Sequence, residues 1–152
     1  MAQAIYLTSA EPHSAKSIVG MGLLNLFAAT AARIAVFRPL YKADEQRDGV
    51  LEVLLPLTTA GVSYEDSLGV SYDELHQNPD EALARIIDRY QAIAHEADIV
   101  LVVGSDYTGV TSPAELDHNA RIAANIGSGV VLVMNGHGKE PNRIVDEAKL
   151  AV

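Results

Sequence analysis

Cysteine is absent from the 152 residues, which excludes disulfide bridges and thiol chemistry and leaves the redox compartment unmarked. Basic residues are scarce as well: 11 lysines and arginines stand against 20 acidic residues, for a formal net charge of −9. The cations are scattered singly, so no basic stripe is available to a nucleic acid, and a polyanion such as ATP meets a repulsive surface unless a local pocket offsets it. Lys16 and Arg38 are the candidates for such a pocket. No run of about 18 or more apolar residues is free of charge, so no membrane-spanning helix is expected. The opening MAQAIYLTSA carries no basic segment ahead of its apolar run, unlike a secretory signal, and a cytoplasmic location is the expectation. The histidines at 13, 76, 95, 118 and 137 show no short paired spacing, so no metal site is expected. Internal repeats and low-complexity tracts are also missing.

What is present is alternation. Residues 4–8 (AIYLT) and 34–37 (IAVF) are β-favouring runs with a helix-length segment, 15–32, between them, which makes one βαβ unit. In that segment Ile18, Val19, Met21, Leu23, Leu24, Leu26 and Phe27 are apolar nearly all round, the pattern of a helix with protein on most sides. Gly20 and Gly22 would let it lie close to a neighbour. Residues 41–78 are the least periodic and read as a long connection with local turns and at most one strand. Order returns at Asn78-Pro79-Asp80-Glu81, a capped helix start, followed by Leu83, Ile86, Ile87, Tyr90 and Ile93 on one face. Residues 99–103 (IVLVV) and 130–134 (VVLVM) are continuous apolar runs, the mark of strands covered on both faces. Between them Ser112-Pro113-Ala114-Glu115 reads as a capping box opening a helix to about residue 126. A last helix is expected over 140–151, and the chain then stops as if cut rather than finished. These elements predict a single α/β domain, residues 1–152, with a parallel sheet flanked by helices on both faces. Ligands in such sheets bind at the carboxyl ends of the strands: here residues 8–16, 38–42, 104–112 and 135–138.

The first of these loops is the most informative. A phosphate-binding loop, G-x-x-x-x-G-K-[ST], uses glycines so that successive amides converge on phosphate, a lysine for charge and a hydroxyl for magnesium. Aligned on Lys16 and Ser17, this chain has Ala10-Glu11-Pro12-His13-Ser14-Ala15 before them. The lysine and serine are kept and both glycines are alanine. Pro12 removes an amide donor, and Glu11 puts a carboxylate where phosphate charge would gather. The strand that should end in a magnesium-linked acid ends at Val103; the nearest carboxylate beyond it is Asp106, while Asp98 lies at the opposite end. Glu11, His13, Ser14, Lys16 and Ser17 are therefore a degenerate phosphate-binding loop, with Arg38 and Asp106 as further candidates for sensing a ligand.

The ordered set of this loop, VFRPL at 36–40, SYEDSL at 63–68, ADIVLVVG at 97–104 and NARIAANIGSGVVLVMNG at 119–136 resembles the amino-terminal domain of long, multi-domain bacterial phosphate acetyltransferases. That domain is itself similar to dethiobiotin synthetases and the cobyrinic acid amidating enzymes, which are P-loop proteins. In dethiobiotin synthetases the place of Arg38 holds a substrate-side lysine, and the place of Val103 a glutamate. The resemblance implies a P-loop-like domain without catalytic residues of its own, with a regulatory and oligomer-stabilising role. The parent would exchange acetyl between coenzyme A and phosphate in a separate carboxyl-terminal domain. No cofactor is implied for this chain. The implied partners are downstream domains of the same polypeptide, further copies of the chain and a small-metabolite effector. An ATP-dependent ligase or ATPase of the dethiobiotin synthetase type is the competing expectation, and an interaction module with an empty cleft is a third.

Overall fold

The computed structural model describes residues 1–9, 11, 14–105 and 112–150. Five strands form the sheet: β1 (Gln3–Ser9), β2 (Ile34–Tyr41), β3 (Leu68–Ser71), β4 (Ile99–Val103) and β5 (Gly129–Val133). Their order is β3-β2-β4-β1-β5 and every pairing is parallel. The helices are α1 (Lys16–Phe27), α2 (Gly49–Leu54), α3 (Tyr72–Gln77), α4 (Pro79–Glu96), α5 (Ser112–Ile126) and α6 (Pro141–Leu150).

Alternate residues of each strand feed two cores, because side chains along a strand point to opposite faces. On one face Leu7, Val36, Leu101 and Val103 pack with Leu24 and Phe27 of α1 and Leu51 and Leu54 of α2. On the other, Tyr6, Phe37, Val100 and Val102 pack with Ile86, Tyr90 and Ile93 of α4 and Ile122 and Ala123 of α5. The sheet is thus covered by helices on both faces, as the alternation predicts. α4 starts where its cap signals place it: the Asn78 side chain accepts from the Glu81 amide and Pro79 is the first helical residue. Its buried stripe contains Ile86, Tyr90 and Ile93, with Leu83 partly covered.

Residues 41–78 hold more structure than their irregular sequence suggests. α2 runs into a 3-10 turn at Leu55–Leu57, and β3 and α3 follow. The apolar piece 50–55 is helical, and the strand lies later. α3 has a full capping box, with Ser71 and Glu74 reciprocally bonded.

Two expectations are corrected. The run at 130–134 is not a strand covered on both faces: β5 is at the margin of the sheet, with Val130 55% and Val131 38% exposed. α1 is not surrounded by protein either. Lys16, Gly20, Leu24 and Phe27 are buried, while Ile18, Met21 and Leu26 face outward. Gly20 lies close to Leu54, whose methyls would be 3.2 Å and 3.3 Å from an added Cβ, but Gly22 faces open space. No helix of the described residues is long and apolar enough to cross a membrane.

Candidate functional site

Parallel strands bring the loops after β1, β2, β4 and β5 to one edge of the sheet. The two cations of that edge lie inside the protein. Lys16, the first residue of α1, is 1% exposed and its Nζ donates to the Gly104 carbonyl at 2.8 Å. Arg38, near the end of β2, is 3% exposed. Its Nη1 donates to the same Gly104 carbonyl and to that of Val103 at 3.1 Å, and its Nε to Asp48 Oδ2 at 3.0 Å. The end of β4 is therefore held by a lysine from one loop and an arginine from another. Asp48 is itself fixed, since its other oxygen caps α2 by accepting from the Leu51 amide and its amide donates to the Tyr64 hydroxyl.

Below this knot is a second buried group that sequence reasoning missed. Asn119 of α5 accepts from the Tyr6 hydroxyl at 2.8 Å and the Ser105 amide at 3.1 Å, and donates to the carbonyls of Ser105 and Glu115. The Glu115 carboxylate accepts from the Tyr72 and Ser105 hydroxyls. Glu115 was expected to reach back over the first turn of its helix; it points inward instead, to partners on other elements. Burial pushes the Tyr6 phenol far above the ordinary tyrosine range, so it stays a donor. The rings of His76 and His118 meet Tyr72 edge-on, with centroids at 4.5 Å and 6.4 Å.

The first loop is tied in a different direction. Glu11 Oε2 accepts from the Asn135 amide at 3.1 Å and Oε1 from Lys139 Nζ, in the loop after β5. Hydrogen bonds, first from Lys139 and then from Asn135, hold its carboxyl below the usual range. The carboxylate that seemed to repel phosphate is thus answered by a lysine one residue beyond the loop expected to face the ligand. Ser14 is in the same loop, and its Oγ, like that of Thr8 at the end of β1, is buried without a hydrogen-bond partner among the described residues. No side chain caps the start of α1. Ser17 occupies its first turn, half-buried. His13 and Asp106 lie outside the described residues.

The structure therefore joins Lys16 to Arg38 through one carbonyl and sends Glu11 to the far side of the same edge. Val103 presents no carboxylate there, as its residue type dictates.

Comparison with known proteins agrees with this architecture. The family described as "AAA domain" matches residues 3–151, and the chain belongs to it. The phosphate acetyltransferase of Nitratidesulfovibrio vulgaris (strain Hildenborough) is 30% identical over 159 residues, spanning 100% of this chain and 23% of that protein. The phosphate acetyltransferase of a Synechocystis species is 32% identical over 153 residues, spanning 96% of this chain and 22% of that protein. The likeness is to the amino-terminal domain of these transferases, and the chain spans less than a quarter of their length. Among solved structures, the BceF tyrosine kinase domain superposes with a TM-score of 0.54 at 20% identity, over 97% of this chain and 62% of that one. At that identity the likeness is one of fold.

Proposed function

From membership of the AAA-domain family and likeness to phosphate acetyltransferases, we propose that this is a regulatory and oligomer-stabilising domain of a phosphate acetyltransferase. The parent interconverts acetyl-CoA plus phosphate with acetyl phosphate plus CoA, and is cytoplasmic. This domain does no chemistry itself. The observation that carries the reading is the turning of Lys16 and Arg38 into the protein, onto the Gly104 carbonyl at the end of a strand that has Val103 where an acid would hold magnesium. In a working phosphate loop the lysine serves the ligand; here it fastens α1 to β4.

A domain of this kind acts by differential binding. A metabolite at the strand ends that favours one arrangement by about 1–3 kcal/mol changes the parent's activity several-fold or more. The outward apolar residues Ile18, Met21 and Leu26 of α1 and Val130 and Val131 of β5 support a contact with downstream domains of the same polypeptide. The test compares the full-length enzyme with a form lacking residues 1–152. The expected result is a changed oligomeric mass and a lost response to pyruvate, nicotinamide nucleotides or ATP, with acetyl transfer retained. Equal mass and equal responses in the two forms would overturn the proposal.

One feature favours a second reading, an ATP-dependent ligase or ATPase: the uncapped start of α1 lies beside the unpartnered hydroxyls of Thr8 and Ser14. Magnesium-dependent ATP binding at micromolar strength by the isolated chain, measured by calorimetry, would select that reading instead.

A further inference from the structure

The contact between Glu11 and the loop after β5 has the composition of an occupied anion receptor. Both oxygens of one carboxylate are held, one by the Asn135 amide and one by the Lys139 ammonium, which is how proteins take up carboxylate and phosphate groups. The receptor is built without Glu11. The Asn135 side chain accepts from the His137 amide at 2.9 Å, the Lys139 amide closes a turn on Gly136 at 3.2 Å, and Gly138 supplies the left-handed residue, φ 72°, that the turn needs. Lys139 Nζ is also steadied by Glu147 at 2.6 Å, which Arg143 holds in turn at 2.9 Å.

Glu11 arrives from elsewhere, 124 residues from Asn135 along the chain. Its backbone is anchored separately: the Ser9 hydroxyl donates to the Glu11 carbonyl at 2.9 Å, and the Glu11 amide returns to Ser9 Oγ at 3.1 Å. The side chain can therefore leave while the loop stays. Solvent reaches the contact, since Glu11 is 27% and Lys139 19% exposed.

We propose that the Asn135 amide and Lys139 ammonium form a binding place for the oxyanion of a small metabolite, a phosphate or a carboxylate, and that Glu11 is the internal anion filling it when no such group is bound. A ligand anion then competes with Glu11. The inference goes beyond the regulatory reading and does not depend on it, because it concerns only what this loop binds.

The test uses the 152-residue chain, titrated with inorganic phosphate in one arm and acetate in the other, at ionic strength matched with sodium chloride and followed at the Asn135 backbone amide by NMR. For at least one of the two anions, Glu11→Gln is expected to bind about tenfold more tightly than the unaltered chain, as removal of a competing internal anion requires. Adding Lys139→Met should abolish that binding. Glu11→Ala guards against a glutamine amide that keeps the contact, and should bind as Glu11→Gln does. If neither Glu11 variant binds either anion more tightly than the unaltered chain, or if Lys139→Met leaves binding intact, the receptor does not exist. The arm that responds identifies the oxyanion.

Discussion

At the scale of single residues, two glycines decide how closely strands and helices approach. A Cβ at Gly104 would lie 2.4 Å from Asn119 Oδ1 and 2.9 Å from Tyr6 Cε1, inside the network that fixes the end of β4. At Gly69 it would lie 2.1 Å from the Pro39 carbonyl oxygen. Gly104→Ala is expected to destabilise by about 1–3 kcal/mol, the usual cost of overpacking. Gly69→Ala should cost at least as much, because its obstacle is backbone and cannot rotate away. Denaturant midpoints of the two variants check both. A Gly69→Ala midpoint equal to that of the unaltered chain would mean that β2 and β3 yield more readily than their spacing suggests. Neither glycine announces its neighbour in the sequence. Lys16 and Arg38 were legible as cations at strand ends, but their shared partner is 88 and 66 residues away along the chain, beyond any local pattern.

At the scale of elements, what could be read locally was read, and what depended on position in the sheet was not. The cap of α4 is local: Asn78 and Pro79 fix its start, and Asn78→Ala should cost about 1 kcal/mol in thermal or denaturant unfolding. β4 and β5 have nearly the same apolar sequence, yet one is central and the other marginal, because strand order follows from crossovers that the run itself does not encode. The apolar outer face of α1 misled for the same reason: a covering neighbour was assumed from composition.

α6 has no buried residue, and its ties to the body include the ion pairs of Glu11, Lys139 and Glu147. This gives a pH prediction. Glu11 and Glu147 are both held below their ordinary value of 4.5, chiefly by hydrogen bonds from Lys139. A carboxyl depressed by folding contributes stability that is present above its unfolded value and disappears as pH falls through the folded one. The stability these groups add should therefore be complete above pH 4.5 and decline below it. In Glu11→Gln the acid-side decline should be shallower. Parallel acid limbs for the two proteins would show that Glu11 titrates alike folded and unfolded.

At the scale of the whole molecule, charge and site chemistry point the same way. A net charge of −9 repels a nucleoside triphosphate at long range, and the lysine that would offset it at the loop is spent on a main-chain carbonyl. ATP should bind the isolated chain in the millimolar range, about −4 kcal/mol, and magnesium should not tighten it, since the end of β4 at Val103 brings no carboxylate. Release of phosphate from ATP should not exceed that of buffer, and acetyl-CoA with phosphate should yield no acetyl phosphate. Lys16→Ala separates the structural from the catalytic role of the lysine. If Lys16 fastens α1 to β4, its removal lowers the unfolding midpoint and leaves ATP turnover where it was, at background. A variant that keeps its midpoint but abolishes a measurable ATPase would return Lys16 to the ligand and the domain to the nucleotide-hydrolysing members of its fold.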